Sequence, residues 1–132
     1  MSTLLLGLRS LFHPVCPPSD LDRAKAWYSQ VLGREPYFDE PFYVGFDVGG
    51  YELGLLPSDD PDDRPTCAWG VPDVDVAVAE LVEAGATVHE EVREVGGGIR
   101  TAAVTDPLGT VLSLIENPHF EVQPPESPGP GR

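Results

Sequence analysis

The chain has 132 residues, of which 41% are hydrophobic and 23% charged, so it can fold as one compact domain or as two small halves around a shared core. Its 22 acidic and 8 basic residues give a net charge of −14, which argues against binding to nucleic acid or to an anionic membrane, because both need a basic surface. The N-terminal "MSTLLLGLRSLF" has no basic stretch ahead of its short apolar run, and two cysteines are too few for a disulfide framework. We therefore expect a cytoplasmic protein that does not enter a membrane.

The first half of the chain predicts a strand, a helix and three further strands. The strand-like "LRSLFHPVC" precedes "SDLDRAKAWYSQVLG" (19–33), whose apolar residues recur with the spacing of one helix face. Ser19 or Asp20 is placed to cap this helix, and Gly33 is placed to end it. The strand-like segments that follow are "REPYFDE", "FYVGFDV" and "YELGLLP", with a Gly-Gly turn at 49–50 between the last two.

The second half repeats this organisation. The segment "PDVDVAVAELVEAG" (72–85) shares the pattern Asp-x-Asp-x-Ala-x-Ala with the first helix at an offset of 53 residues. Asp73 is placed to cap this second helix and Gly85 to end it. The flanking strand-like segments are "TCAWGV" before it and "ATVHEEVREV", "GIRTAAVT" and "TVLSLIE" after it. A period that occurs only twice indicates a duplicated module, since a solenoid needs more copies.

These patterns divide the chain into a first module (1–57), a linker (58–65), a second module (66–117) and a Pro-rich tail (118–132) that we do not expect to contribute to the core. The predicted fold class is α+β, with two βαβββ modules. A small sheet that carries one helix leaves its other face bare, and two such faces can curl into one concave trough. A trough lined by both modules is a natural site for a ligand.

Three motifs of the sequence carry a resemblance to a known family. The motifs are "DLDRAKAWYSQVLG", "VPDVDVAVAELVEAGA" and "TDPLGTVLSLIEN". Together they resemble the glyoxalase/bleomycin-resistance, or vicinal oxygen chelate, superfamily over about residues 6–117. The resemblance implies a homodimer. It also implies that, in the metal-dependent members, side chains from the first and last strands of each module hold a divalent ion in the trough.

The ligand positions that the resemblance implies carry His13, Glu52, Thr66 and Ser113 in this chain. His13 and Thr66 each stand seven residues before a helix-capping Asp, and Ser113 stands seven residues after the Asp of the Asp-Pro-x-Gly turn. Imidazole and carboxylate are good ligands for Zn, Ni, Mn or Fe, whereas neutral hydroxyls are poor ones. We therefore expect no cofactor and predict that His13 is a neutral ring that lines the trough. A divalent metal on His13 and Glu52, completed across a dimer, is the alternative.

The residues predicted to line the trough come from the strands of both modules. Strand alternation places Phe42, Val44 and Phe46 on one face and the residues between them on the other, so one of these sets can face the trough. Glu52 is the candidate catalytic residue, because a buried carboxylate could accept a ligand's proton. The whole predicted set is His13, Val15, Phe42, Phe46, Glu52, Gly54, Thr66 and Ser113.

The function that these observations favour is metal-independent binding of a small apolar or aromatic molecule. The acidic surface would add a weak preference for cations. An alternative is a divalent-metal-dependent lyase, isomerase or dioxygenase of the glyoxalase type that uses His13 and Glu52. A third hypothesis is a non-catalytic partner protein whose trough is filled by its own side chains.

Overall fold

The computed structural model describes residues 7–120. The first half of this range contains strand β1 (Gly7–Val15), a 3-10 turn (Pro18–Asp20), helix α1 (Leu21–Leu32) and strands β2 (Phe38–Glu40), β3 (Tyr43–Val48) and β4 (Tyr51–Pro57). The second half contains strand β5 (Thr66–Gly70), helix α2 (Val74–Glu83) and strands β6 (Thr87–Gly96), β7 (Ile99–Thr105) and β8 (Val111–Glu116).

The strands form one eight-stranded sheet in the order β2-β3-β4-β1-β5-β8-β7-β6. Strand β1 runs parallel to β4, and β5 runs parallel to β8, while β1 and β5 pair antiparallel at the centre. The two halves are therefore related by an approximate two-fold axis between β1 and β5. The predicted α+β fold with two βαβββ modules is confirmed, and the sheet curls into a half-barrel.

Both helices pack on the same face of the sheet. Leu21 of α1 packs against Val44, Phe46 and Leu55, which are all buried. A second cluster joins α2 to the other half through residues that include Val74, Ala77, Ala102 and Leu114. Each large apolar side chain buried in this way contributes about 1.5–3 kcal/mol to folding. Because side chains alternate along a strand, the residues between these core positions point to the opposite, concave face, which we call the trough.

The two helices begin differently. The Asp73 carboxylate accepts hydrogen bonds from the backbone N–H groups of Asp75 (3.0 Å) and Val76 (3.2 Å) and so caps α2, as the sequence predicts. Asp20 precedes α1 but makes no such side-chain bond, because the 3-10 turn leads directly into the helix. Gly33, in the left-handed conformation at φ 66°, ends α1.

One end of the trough is filled by the protein itself. Tyr43, Ala68, Ile99 and Ile115 form a buried cluster on the trough face, and several aromatic rings pack against it. The turn between β6 and β7 reaches across from the second half, where a Cβ on Gly97 would lie 2.9 Å from the ring of Phe38. We call this part of the trough the closed end.

The first residues of the predicted tail contribute to the closed end, contrary to expectation. Phe120 is only 5% exposed, and its carbonyl oxygen accepts a hydrogen bond of 3.1 Å from Nη1 of Arg9. The Arg9 guanidinium also lies 5.2 Å from the centre of the Phe120 ring. The remainder of the predicted tail, 121–132, and the first six residues of the first module lie outside the described residues. No helix within 7–120 is both long and apolar enough to cross a membrane.

Candidate functional site

A row of four residues crosses the middle of the trough. Strand register places Ser10 beside Glu52 on β4 and beside Ala68 on β5, and it places Ala68 beside Ser113 on β8. The row therefore runs Glu52, Ser10, Ala68, Ser113, with two residues on each side of the approximate two-fold axis. These are the trough-facing positions on the first and last strands of the two modules, where the family resemblance implies metal ligands.

His13 lies on the opposite face of the sheet from Glu52. Its ring packs edge-on against Tyr28 of α1 at 5.6 Å, and its Nδ1 lies 2.9 Å from the carbonyl oxygen of Pro14. The prediction that His13 lines the trough is wrong because the turn Pro18–Asp20 lengthens the connection between strand and helix. The residue seven positions before Asp20 is therefore His13, three positions after Ser10, which is the residue of β1 in the row. Because side chains alternate along a strand, residues three positions apart point to opposite faces of the sheet. His13 and Glu52 cannot bind one ion together.

Two other residues of the predicted set also face α1. Val15 and Phe46 are buried in the core beneath that helix, so the expectation that they line the trough is corrected. Val44 and Phe46 share one face, as alternation predicts, but that face packs under α1, and Phe42, which was assigned to the same face, lies on the other side of the sheet. Phe42 stands just before β3, and its ring joins the closed end.

The remaining predicted residues lie on the trough face. Gly54 faces the hydroxyl group of Tyr43, so closely that a Cβ at this position would overlap it. Thr66 and Ser113 line an opening at the other end of the trough. Thr66 is two residues along β5 from Ala68, which occupies the row position that Thr66 was expected to fill.

Glu52 is surrounded by hydrogen-bond donors. It is 2% exposed, and its carboxylate accepts bonds from Ser10 Oγ (2.5 Å) and from the Tyr43 hydroxyl (2.7 Å). The Tyr37 hydroxyl also donates to it, and Nδ2 of Asn117 lies 3.4 Å from Oε2. Burial, followed by the nearby Glu52 charge, raises the pKa of both tyrosines well above the usual value, so both hydroxyls keep their protons and remain donors.

Arg9 provides the positive charge of this buried group. It is 5% exposed, and burial lowers the pKa of its guanidinium while the Glu52 charge opposes that effect. Within the part of the chain that the structure describes, Arg9 Nη2 has no hydrogen-bond partner. We call Arg9, Ser10, Tyr37, Tyr43, Glu52 and Asn117 the buried polar cluster.

Glycines make the room that the buried polar cluster occupies. A Cβ on Gly45 would lie 2.7 Å from Glu52 Oε2, and one on Gly70 would lie 2.5 Å from Arg9 Nη2. Sequence reasoning missed Arg9, Ser10, Tyr37 and Asn117 as members of this cluster. A glycine within a strand was the available signal, since it often marks the close approach of another group.

The donor set of the row does not fit a catalytic metal centre of the kind the resemblance implies. Glu52 is its one carboxylate, Ser10 and Ser113 offer neutral hydroxyls, and Ala68 offers only a methyl group. The Glu52 oxygens are already bonded to protein donors. Among residues 7–120, no three His, Cys, Asp or Glu side chains come together in a way that could hold an ion. Catalytic zinc sites typically use three protein ligands.

The far end of the trough forms a cleft of about 330 Å³, which we call the open cleft. Its floor comes from strand residues of both modules, and its rim comes from the linker and from β6. The floor residues are Phe12, Pro14, Leu56, Thr66, Thr101, Ala103, Val111 and Ser113. The rim residues are Ser58, Asp63, Arg64, His89, Glu90 and Arg93.

Tyr43 separates the open cleft from Glu52. Along β4, the trough-facing residues are Glu52, Gly54 and Leu56 in turn, and only Leu56 lines the cleft. The Tyr43 ring covers Gly54, and its hydroxyl reaches Glu52. Tyr43 is fully buried, so the candidate catalytic carboxylate does not face the cleft. The closed end resembles the third hypothesis, in which the protein fills its own trough, whereas the open cleft does not.

Solved structures with this fold include several proteins of low sequence identity. A methylmalonyl-CoA epimerase is 18% identical, with a TM-score of 0.67 over 89% of this chain and 99% of that one. A superfamily member from Vibrio splendidus 12B01 is 17% identical, with a TM-score of 0.52 over 85% of this chain and 97% of that one. The Mn(II)-bound glyoxalase from Novosphingobium aromaticivorans is 20% identical, with a TM-score of 0.57 over 98% of this chain and 44% of that one. At these identities the likeness shows the fold alone.

Sequence comparison identifies the family. None of the curated proteins matches the chain. The sequence profile of one family, described as the Glyoxalase/Bleomycin resistance protein/Dioxygenase superfamily, matches residues 10–114 and thus most of the chain. The resemblance inferred from the three motifs is therefore confirmed, and the chain belongs to the glyoxalase/bleomycin resistance protein/dioxygenase superfamily.

Proposed function

We propose that this protein binds a small molecule with an apolar or aromatic body in the open cleft and that binding needs no metal ion. The observation that carries the proposal is the division of the trough. The carboxylate at the row of four residues is enclosed in the buried polar cluster, whereas an apolar floor opens to solvent at the other end. Ligand sites are typically concave and largely apolar, with a few polar groups that orient the ligand.

The floor has the composition that such a ligand requires. Phe12, Pro14 and Leu56 come from the first module, and Ala103 and Val111 come from the second, so both halves contribute apolar surface. An aromatic body of two fused rings suits a cleft of about 330 Å³, which lies near the lower limit of typical ligand pockets. A larger apolar molecule would project past the rim.

The metal-dependent enzyme is the weaker candidate because its two expected ligands are separated. His13 faces α1, and Glu52 accepts hydrogen bonds from several protein groups. Removing those partners to free the carboxylate for a metal would leave buried donors unsatisfied, at a cost of about 1–3 kcal/mol for each.

The test is the binding of methyl 1-naphthoate, a neutral aromatic probe, measured by its fluorescence. Thr66 lies exposed at the cleft, so Thr66→Trp should obstruct the opening without disturbing the core. Thr87→Trp is the matched control, because Thr87 is an exposed strand residue that does not line the cleft. We expect Thr66→Trp to weaken binding at least about tenfold and Thr87→Trp to leave it within about twofold. Equal affinities in all three proteins would refute the proposal.

A further inference from the structure

We propose that the open cleft selects ligands that carry a carboxylate or a similar oxyanion on the apolar body, and that Arg93 and Arg64 bind this group. This inference rests on the proposed function and deepens it, because it names the chemical class of the ligand. It also runs against the expectation, drawn from the net charge of −14, that the surface favours cations.

Irregular pairing of β6 turns polar side chains toward the cleft. Glu90 pairs with Ala103 and Arg93 pairs with Thr101, so three steps along β6 match two along β7. In regular pairing, Glu90 and Arg93 would point to opposite faces. The extra residue brings both to the face of Ala103 and Thr101, which lie on the cleft floor. Such bulges are frequent beside functional sites, where they redirect a side chain.

The two rim arginines have no carboxylate partner in the structure as described. Arg64 donates only to backbone carbonyl oxygens, those of Pro61 at 3.3 Å and Asp63 at 3.2 Å. The Arg93 side chain makes no ion pair or hydrogen bond with any residue in the range 7–120. By contrast, Arg100 bonds to Glu116 at 2.7 Å and to Asp75 at 2.6 Å. In so acidic a chain, two guanidinium groups that face one cleft without such partners are available to a ligand.

Hydroxyl groups on the cleft floor provide further donors. Thr66, Thr101 and Ser113 line the cleft, and none of their side chains is hydrogen-bonded to a described residue. A carboxylate can accept two parallel bonds from one guanidinium and additional bonds from hydroxyl groups. Several donors of this kind can converge on one oxyanion that an apolar body carries into the cleft.

The rim also carries acidic groups, which would instead favour a cationic ligand. Asp63 already accepts a hydrogen bond of 2.9 Å from Ser58, but Glu90 faces the cleft. An ammonium group on the ligand could pair with Glu90. The hydroxyl groups can donate to an anion or accept from a cation, so they favour neither. The two guanidinium groups outnumber the one rim carboxylate, Glu90, that is not already bonded to Ser58, and the balance of charge therefore favours an anion.

Three probes with the same naphthyl body separate these possibilities. They are 1-naphthoate, its neutral methyl ester and 1-naphthylmethylammonium, each titrated into the full chain at about 0.15 M salt so that the long-range field is screened. We expect 1-naphthoate to bind at least about fivefold more tightly than the ester, since hydrogen bonds to charged groups are the stronger kind. We expect the ammonium probe to bind no more tightly than the ester.

The arginine variants test which side chains create this preference. Arg93→Gln should remove most of the difference between 1-naphthoate and the ester, and Arg64→Gln should reduce it, while the ester affinity stays within about twofold. Arg23→Gln makes the same change of charge on exposed α1, away from the cleft, and should leave the preference unchanged. Circular dichroism checks that each variant is folded.

The outcomes distinguish this inference from the proposed function. If the ester binds and Thr66→Trp blocks it, but 1-naphthoate gains no affinity or its gain survives both arginine changes, the inference is overturned and the proposed function stands. Tightest binding of the ammonium probe would also overturn it. If none of the probes binds, or if Thr66→Trp affects none of them, the proposed function fails and the inference fails with it.

Discussion

Ser10 and Glu52 stand side by side on parallel strands, and the Ser10 hydroxyl donates a hydrogen bond of 2.5 Å to the Glu52 carboxylate. This contact lies at the trough position where the family resemblance implies two metal ligands. Here Ser10 donates a hydrogen bond to Glu52, and the hydroxyl groups of Tyr37 and Tyr43 donate to the same carboxylate. We infer that Glu52 stabilises the closed end and that ligand binding takes place in the open cleft.

Glu52→Gln should therefore affect stability and leave binding unchanged. The Glu52 carboxylate now accepts hydrogen bonds from four side chains, those of Ser10, Tyr37, Tyr43 and Asn117. The Gln amide would turn an NH2 group toward some of these donors, and a buried donor left without an acceptor costs about 1–3 kcal/mol. Urea denaturation should show a loss of this size, whereas the affinity for methyl 1-naphthoate should stay within about twofold. Glu83→Gln, at the exposed end of α2, is the control for the change of charge. A tenfold loss of affinity in a folded Glu52→Gln protein would place the carboxylate in the binding site.

His13→Gln tests the face assignment of β1. The His13 ring packs against Tyr28 beneath α1, so its loss should lower the free energy of unfolding by about 1 kcal/mol. Because the ring does not reach the trough, the affinity for methyl 1-naphthoate should be the same in both proteins at every pH between 5.5 and 7.5, whatever pH dependence the rim residue His89 adds to each. A binding affinity that varies with pH in the wild type and not in the variant would return His13 to the site.

Truncation tests the role of Phe120. Deletion of residues 118–132 removes a buried ring and the carbonyl oxygen that Arg9 binds, so it should cost about 2–3 kcal/mol of stability. Deletion of residues 121–132 keeps the ring and turns the carbonyl into a terminal carboxylate that can still accept the Arg9 hydrogen bond, so we expect a melting temperature close to that of the full chain. Phe120→Ala should reproduce most of the larger loss. Equal stability of the two truncated chains would show that Phe120 adds nothing to the closed end.

Alkaline pH should destabilise the protein through its two buried tyrosines. Burial and the Glu52 charge raise the pKa of Tyr37 and Tyr43 in the folded state, so the unfolded chain loses these protons first, near pH 10. Above that pH the folded state binds more protons than the unfolded state, and the free energy of unfolding must fall as pH rises. Urea denaturation from pH 8 to 11 should show this decline. Tyr37→Phe removes one titrating group and should make the decline in stability with pH shallower. An unchanged slope would contradict the assignment of this decline to the buried tyrosines.

The fold could be predicted because its signals are local. Helix periodicity, capping residues and turn glycines all lie within a few positions of the elements they define, and the repeated Asp-x-Asp-x-Ala-x-Ala pattern revealed the duplication. The trough-facing positions of Glu52 and Ser113 followed from the arrangement of ligand positions that the family resemblance implies. Strand β1 did not follow it, because the turn Pro18–Asp20 changed the count by which His13 was assigned.

The buried polar cluster could not be predicted because its members are distant in the sequence. Asn117 is 80 residues from Tyr37 and 65 from Glu52, and Ser10 is 42 residues from Glu52. Only the closure of the sheet brings these groups together. Composition alone also places arginines and acidic residues on the surface, whereas the bulge in β6 determines that Arg93 faces the cleft.

The most direct test of metal-independent binding in the open cleft is the dissociation constant for methyl 1-naphthoate in protein dialysed against EDTA, compared with the same protein after Mn, Ni or Zn is added back. The Glu52 carboxylate is held by protein donors and does not face the cleft, so we expect the constants to agree within about twofold. Binding that disappears on dialysis and returns with one of these ions would contradict the account.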